Sequence, residues 1–292
     1  MTSAAKSASV TSMTVMHEAY EIARHRGVER QISHGRQRLS VDDEGTAAGA
    51  VVGLHGLTAT RRYVLMGSRL VERSGRRVAL FDARGHGTSP PAPGRDYSYD
   101  AMAADLAAVL DGLEIERALL IGVSMGAHTA LRFALDNAER VTGLLLVTPA
   151  YDPDSGATKL ARWDALAAGL RDGGVDGFMA AFDLAGLAPQ WRETVARAVR
   201  QRMAGHTYPD AVADALRAVP RSRPFDSWGE LGHLEAPTVV VGSRDEADPE
   251  HPLATARHYA DAIPGARLVV EDEGRAPIAW QGGRLSQLLL DF

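Results

Sequence analysis

Residues 119–126 have the sequence LLIGVSMG, in which an apolar run leads directly into Gly-x-Ser-x-Gly. The run predicts a buried strand, and the residues that follow, His128 to Leu135, predict a helix. A strand, a sharp turn and a helix in this order form a nucleophile elbow, which holds a serine hydroxyl exposed above a sheet. Gly122 and Gly126 suit the turn because side chains there would collide where the backbone doubles back. Ser124 is therefore the candidate nucleophile, with a structural turn serine as the alternative.

The composition is typical of a globular protein, with 45% apolar and 24% charged residues among 292. The net charge of −5 comes without a basic block, so nucleic acid is not an expected partner. The lack of cysteine excludes disulfides, cysteine catalysis and thiolate metal sites. No residue spacing suggests a metal site, and no cofactor is predicted. No apolar run is long enough for a membrane span and no signal-peptide core is present, so we expect no membrane contact and a cytoplasmic location.

Strand and helix patterns alternate on both sides of a block that is helical throughout. Such alternation with buried apolar runs predicts an α/β fold, with a mostly parallel eight-stranded sheet covered by helices on both faces. The predicted divisions are an N-terminal tail and short helix at residues 1–26, a core at 27–150 and 236–292, and a helical insertion at 151–235. Because strands lie on either side of the block, it is an insertion into the core rather than a linker.

The individual elements follow from hydrophobic periodicity and from glycine and proline positions. Besides the strand before Ser124, the predicted strands are residues 28–33, 36–42, 50–54, 77–81, 141–148, 238–241 and 267–270. The predicted helices are residues 13–26, 61–73, 98–113, 128–135 and 252–262, and a final helix that begins at residue 283.

Three further motifs follow predicted strands: HG at residues 55–56, DARGHGTS at residues 82–89 and GSRD at residues 242–245. Together with the elbow they make the chain resemble the α/β-hydrolase fold family, from Val28 to the C-terminus. The resemblance implies that the helical insertion is a lid or cap. It also implies a catalytic triad in the order serine, acid, histidine, with the acid after the strand that follows the cap.

Carried onto this sequence, the resemblance implies Asp245 as the triad carboxylate. Asp248 lies in the same loop and remains a rival. The backbone N–H groups of Leu57 and Met125 would form the oxyanion hole.

The sequence departs from the family pattern at the histidine. The expected Gly-His, small residue and Pro is replaced by GRAP at residues 274–277, so Arg275 stands in the histidine position. A guanidinium stays protonated in proteins and cannot accept the serine proton, so the ordinary cycle lacks its base. We expect Arg275 to approach Ser124 and to pair with Asp245. His251, in the loop of the acid, and His206, in the helical insertion, remain open as replacements.

Two functional classes follow. The first is an enzyme that acts on a small or medium apolar ester, thioester or lactone, or that performs a related cofactor-free cyclisation or lyase step, with Ser124 as nucleophile or anchor. The second is a non-catalytic pseudo-hydrolase that binds a small apolar ligand. The intact elbow favours the enzyme, whereas Arg275 favours the second class. The sequence gives neither the substrate nor the oligomeric state. The aromatic side chains of the insertion that could line a cleft are Trp163, Phe178, Phe182 and Trp191.

Overall fold

A central sheet organises the protein, which a computed structural model describes over residues 27–46, 49–155, 160–244 and 248–292. Its strands in these ranges are β1 (Val28–His34), β2 (Gln37–Glu44), β3 (Ala50–Leu54), β4 (Val78–Phe81), β5 (Ala118–Val123), β6 (Val141–Val147), β7 (Thr238–Val241) and β8 (Arg267–Val269). They are arranged in the order β1-β2-β4-β3-β5-β6-β7-β8. β2 pairs antiparallel with β1 and β4, and the remaining pairs are parallel. The predicted mostly parallel eight-stranded sheet is confirmed.

From β3 onward the helices alternate with the strands, apart from three consecutive helices between β6 and β7. They are α1 (Leu70–Arg73), α2 (Tyr99–Gly112), α3 (Met125–Asp136), α4 (Leu160–Ala181), α5 (Arg192–Met203), α6 (Pro209–Ala218), α7 (Leu253–Ala262) and α8 (Gly282–Leu290). Short 3-10 turns occupy Arg61–Tyr63, Pro93–Arg95, Ala138–Arg140, Val219–Arg221, Trp228–His233 and Ile278–Trp280. None of the helices in the described ranges combines the length and the apolarity that crossing a bilayer requires.

Apolar side chains cover the sheet on both faces. On one face Leu106 of α2, Phe133 of α3 and Tyr259 of α7 are buried in a single cluster with the inward side chains of the strands. On the other face Leu285 and Leu289 of α8 do the same. A parallel sheet buried on both faces needs nearly continuous apolar strands, which explains why β5 and β6 have so few polar residues.

The helices α4 to α6 and the turn after them form a helical segment, residues 160–221, between β6 and β7. It has an apolar cluster of its own, to which Leu166, Phe178 and Val199 belong. α4 bends at Gly173–Gly174, where the backbone is not helical, so its two arms fold against each other. The described helices lie within the predicted insertion; the exact division at residues 151–235 stays a prediction.

Two predicted helices need comment. The helix predicted at residues 61–73 is wrong over most of its length. The backbone has positive φ angles at Met66 (44°) and Gly67 (80°), which interrupt a helix. The side chain of Arg61 is also not on an exposed helical face. It is 3% exposed and forms salt bridges with Asp42 and Asp82. The helix predicted at residues 13–26 lies outside the described residues.

The close contact between β5 and α3 leads to a prediction about the stability of the fold. A Cβ atom added at Gly122 would lie 2.3 Å from the carbonyl oxygen of Gly126. Backbone atoms on both sides must then shift, so we expect Gly122→Ala to lower the free energy of unfolding by about 3 kcal/mol. Denaturant unfolding measures this change. The matched control is Gly283→Ala in α8, where an added Cβ meets nothing within 4 Å. Equal loss of stability in both variants would contradict the close contact.

Candidate functional site

Ser124 lies between β5 and α3 in a strained backbone conformation. Its φ of 49° and ψ of −110° are uncommon for a residue with a side chain. Close backbone packing holds this conformation, because a Cβ added at Gly126 would lie 2.3 Å from the carbonyl oxygen of Leu54. The N–H of Ser124 also donates to the carbonyl of Val147 at 2.9 Å. The expected sharp turn at the carboxyl edge of the sheet is therefore present, and it presents the serine hydroxyl to a cavity.

A chain of hydrogen bonds joins Ser124 to His251 and Asp248. Oγ of Ser124 lies 2.8 Å from Nε2 of His251, and Nδ1 of His251 lies 2.7 Å from Oδ2 of Asp248. Because a carboxylate only accepts, Nδ1 carries the hydrogen and Nε2 accepts from the serine hydroxyl. The His251 and Asp248 side chains are 21% and 29% exposed. Where proteins activate a serine as a nucleophile, a base and an orienting acid commonly adopt this hydrogen-bonded arrangement.

The charges of Asp248 and His251 each shift the pKa of the other group towards its charged form. Burial by itself lowers the pKa of His251, but the charge and hydrogen bond of Asp248 outweigh it, so the pKa lies above the ordinary value of 6.5. Burial raises the pKa of Asp248, and the charge of His251 outweighs it in turn, so that pKa lies below its ordinary value. Asp248 therefore stays ionised and stabilises an imidazolium at His251.

One turn of the loop after β7 brings the acid and the histidine together. The backbone N–H of His251 donates to the carbonyl of Asp248 at 3.3 Å. Residues three apart in such a turn lie side by side, which places both side chains next to the elbow. This spacing was the available sequence signal, but sequence reasoning treated Asp248 and His251 as separate alternatives. Asp245, the acid implied by the family resemblance, lies outside the described residues.

The structure does not bring Arg275 to Ser124. Its side chain is exposed, whereas the serine faces a cavity. The reason is a turn in which Gly274 has a φ of 74° and the N–H of Arg275 donates to the carbonyl of Asp272 at 3.1 Å. This turn carries the side chain outwards. The same loop returns to the cavity at Trp280, which sequence reasoning did not consider.

Leu57 and Met125, the expected oxyanion-hole residues, both line the cavity beside Ser124. Met125 is the first residue of α3, so its N–H has no acceptor within the helix. The loop of Leu57 lies directly against the elbow, since a Cβ added at Gly56 would be 3.5 Å from Cβ of Ser124. The structure thus places both residues next to the serine; the role of their N–H groups in catalysis stays a prediction.

His55 holds the loop that contains Leu57. Its Nδ1 lies 2.8 Å from the carbonyl oxygen of Gly56, and its Nε2 accepts from the N–H of Ala83 at 2.9 Å. The ring is buried, and burial lowers the pKa of His55 to about 3. His55 is therefore neutral and donates through Nδ1, which fixes the loop to the polar turn after β4.

Above the serine lies a cavity of about 700 Å³. Its apolar lining comes from both the helical segment and the core. Three of the four predicted aromatics line it, and Trp191 instead packs in the apolar cluster of the helical segment. The large apolar lining residues include Tyr63, Met66, Trp163, Leu166, Phe178, Phe182, Leu187, Val195, Val199 and Trp280. Within the described ranges, no group of three His, Cys, Asp or Glu is arranged to hold a metal ion.

A charged pair at the cavity wall connects the helical segment to the loop of Asp248 and His251. Arg162 of α4 forms a salt bridge with Glu250. The guanidinium carbon of Arg162 also lies 6.0 Å from the ring centre of Trp163 and 5.9 Å from that of Phe182. The helical segment and the loop are thus joined by an ion pair whose cation rests beside two aromatic rings.

Comparison with known proteins agrees with this geometry. A family model described as alpha/beta hydrolase fold matches residues 49–282. The chain is 29% identical over 272 residues to 2-hydroxy-6-oxononadienedioate/2-hydroxy-6-oxononatrienedioate hydrolase 2 of Pseudomonas putida, across 87% of this chain and 91% of that protein. A stretch of 99 residues is 41% identical to the sn-1-specific diacylglycerol lipase ABHD11 of Mus musculus, and covers 34% of this chain and 32% of the lipase.

A solved structure of a thermophilic esterase from Thermogutta terrifontis, with malate bound, superimposes with a TM-score of 0.75. It is 28% identical in sequence, and the superposition covers 91% of this chain and 97% of the esterase. The family model covers more than half of the chain, and the sheet order and the elbow agree with it. The chain belongs to the alpha/beta hydrolase fold family.

Proposed function

We propose that the chain is a serine hydrolase that cleaves small or medium apolar carboxylic esters, thioesters or lactones. Ser124 is the nucleophile, His251 the general base and Asp248 the acid that orients and stabilises it. The observation that carries this proposal is the unbroken hydrogen-bond chain from Ser124 Oγ through both nitrogens of His251 to the carboxylate of Asp248.

The proposed cycle follows from these contacts. His251 takes the proton of Ser124 through Nε2 while Oγ attacks the carbonyl carbon, and the imidazolium that forms is stabilised by Asp248. The negative charge that develops on the carbonyl oxygen is met by the N–H groups of Leu57 and Met125. His251 then gives its proton to the leaving oxygen or sulfur. A water molecule, activated in the same way, releases the acyl group from Ser124.

The cavity supports an apolar substrate of limited size. Its volume of about 700 Å³ lies within the range of small-molecule sites. Its walls are mainly aromatic and aliphatic side chains, so burial of an acyl or alcohol group there releases apolar surface from water. The similar proteins include an esterase and a lipase, which is consistent with an ester bond as the point of cleavage.

The alternative of a non-catalytic binding protein depended on the absence of a base. It assumed that the residue at the family's histidine position, Arg275, was the group that faces Ser124. His251 lies within hydrogen-bond distance of Ser124 instead, with a carboxylate behind it. No other observation favours a binding protein, so the enzyme is the function we propose.

The first test is hydrolysis of p-nitrophenyl esters with acyl chains of different lengths. Ser124→Ala removes the nucleophile and His251→Asn the base, so we expect each to lower kcat about 10⁴-fold or more. Labelling by a fluorophosphonate should also be lost in Ser124→Ala. Ser33→Ala, at an exposed position of β1, and His233→Asn, at an exposed position before β7, are matched controls. Ester turnover that survives Ser124→Ala would overturn the proposal.

The pH dependence follows from the pKa of His251. The base must be neutral to take the serine proton, and Asp248 raises its pKa above 6.5. We therefore expect kcat/KM to rise with pH through a midpoint above 6.5, at a higher pH than for an ordinary histidine. Asp248→Asn removes the carboxylate charge, so the midpoint of the residual activity should move to lower pH. A wild-type midpoint below 6.5, or no shift in the variant, would contradict the assignment of base and acid.

Arg275 should be dispensable, because its exposed side chain does not reach the serine. We expect Arg275→Ala to keep ester turnover within about twofold and the free energy of unfolding within about 0.5 kcal/mol, as for other exposed positions. Steady-state kinetics and denaturant unfolding of the same preparation give both values. A loss of about 2 kcal/mol or more would instead indicate the buried ion pair that the sequence suggested.

A further inference from the structure

His206 lies in the helical segment between α5 and α6, and both of its ring nitrogens contact backbone groups of the core. Nδ1 accepts from the N–H of Gly87 at 2.9 Å, and Nε2 lies 3.0 Å from the carbonyl oxygen of Thr58. Since Nδ1 accepts, the hydrogen is on Nε2 and is donated to Thr58. One imidazole thus joins the helical segment to two separate loops of the core.

Thr58 lies in the loop after β3 that contains Leu57, which we call the oxyanion loop. The backbone of this loop is strained at Thr58. The N–H of Ala59 donates to the carbonyl of Gly56 at 3.0 Å, which closes a tight turn with Leu57 and Thr58 at its centre. Thr58 has a φ of 67°, a conformation that usually requires glycine. Such a conformation persists only where the surroundings hold it. The direction of the Leu57 N–H therefore depends on what holds Thr58.

The second contact fixes His206 itself. The neighbouring Thr207 donates its N–H to the carbonyl of Gly87 at 2.8 Å, so Gly87 is bound through both its N–H and its carbonyl. These two hydrogen bonds to Gly87, together with the ring of His86 at 5.6 Å between ring centres, set the position of the imidazole. Because the imidazole is fixed in this way, its hydrogen bond to Thr58 fixes the position of the Thr58 carbonyl.

The surroundings of His206 keep its ring neutral. Burial lowers the pKa of His206, the charge of Arg202 lowers it further, and Asp82 and the Thr58 carbonyl act against them. The other titratable rings of this cluster are His86 and His55, and burial lowers the pKa of both. A neutral ring is what the two contacts require, because a protonated Nδ1 could not accept from Gly87.

We propose that His206 is a positioning residue for the oxyanion hole: by donating to the carbonyl of Thr58 it holds the strained turn that aims the N–H of Leu57 at the reacting carbonyl. His55 fixes the same turn from within the core, through Gly56. His206 fixes it from the helical segment, so the oxyanion hole is complete only when that segment is seated on the core. The inference rests on the proposed function, since it assigns His206 a role in the same reaction.

Two conservative variants separate the two hydrogen bonds of His206. The amide oxygen of asparagine occupies the place of Nδ1, so His206→Asn keeps an acceptor for Gly87 and loses the donor to Thr58. The amide nitrogen of glutamine occupies the place of Nε2, so His206→Gln keeps the donor to Thr58 and loses the acceptor. Each variant is compared with wild type and with His233→Asn, an exposed histidine, after titration of active sites with a fluorophosphonate.

The readouts are hydrolysis of p-nitrophenyl butyrate and inhibition by an alkylboronic acid, whose tetrahedral adduct with Ser124 places an oxygen in the oxyanion hole. We expect His206→Asn to lower kcat about 10- to 100-fold, less than complete removal of a donor, with KM nearly unchanged. Boronate affinity should fall in the same ratio. His206→Gln should keep both values within about threefold of wild type. A merely structural role would change the fraction of active sites and leave kcat per site unchanged.

Equal values in the two variants, whether both high or both low, would overturn the inference while Ser124-dependent turnover in wild type still upholds the proposed function. If wild type shows no such turnover, amide hydrogen exchange decides the question without catalysis. Faster exchange over residues 55–60 in His206→Asn, and not in His206→Gln or His233→Asn, supports the anchoring of the turn. Unchanged exchange overturns it.

Discussion

The site depends on one close contact between backbones, at the point where β3, β5 and α3 meet. An added Cβ at Gly126 would lie 2.3 Å from the carbonyl oxygen of Leu54, so the helix begins almost in contact with the neighbouring strand. This approach forces the reversal at Ser124 and leaves its hydroxyl at the edge of the sheet. It also brings the loop after β3 beside the serine, so the same packing positions the proposed nucleophile and the proposed oxyanion donors.

The proposed acid and base are positioned by a second, much more local constraint. Asp248 and His251 belong to one turn of the loop after β7, so their mutual distance is fixed by three peptide units. That turn is joined to α4 by the salt bridge of Arg162 with Glu250. Because His251 already contacts Ser124, no histidine is needed from the loop after β8. Its Arg275 is exposed, and the loop contributes Trp280 to the cavity wall.

The sequence predicted what local chemistry decides. Strand periodicity and the glycines around Ser124 indicated the sheet and the elbow, because those patterns act over a few residues. The contact of Ser124 with His251 spans 127 positions and was not readable from spacing. The helix predicted at residues 61–73 failed for a related reason: the pairing of Arg61 with Asp42 and Asp82 is a tertiary contact that overrides helix propensity.

The histidines show how environment, rather than residue type, separates a base from a structural ring. His55, His128 and His206 bond through both nitrogens to neutral groups, and their pKa values are lowered because burial opposes a charge that nothing nearby compensates enough. In His251 the same burial acts in the same direction, but a carboxylate at 2.7 Å reverses the outcome and raises the pKa. A ring that accepts a proton during a reaction needs a nearby carboxylate to compensate the charge. A ring that keeps one fixed donor and one fixed acceptor must stay neutral, so it needs surroundings without such a carboxylate. In the proposed reaction, burial alone keeps the positioning rings neutral, whereas burial beside a carboxylate prepares His251 for proton transfer.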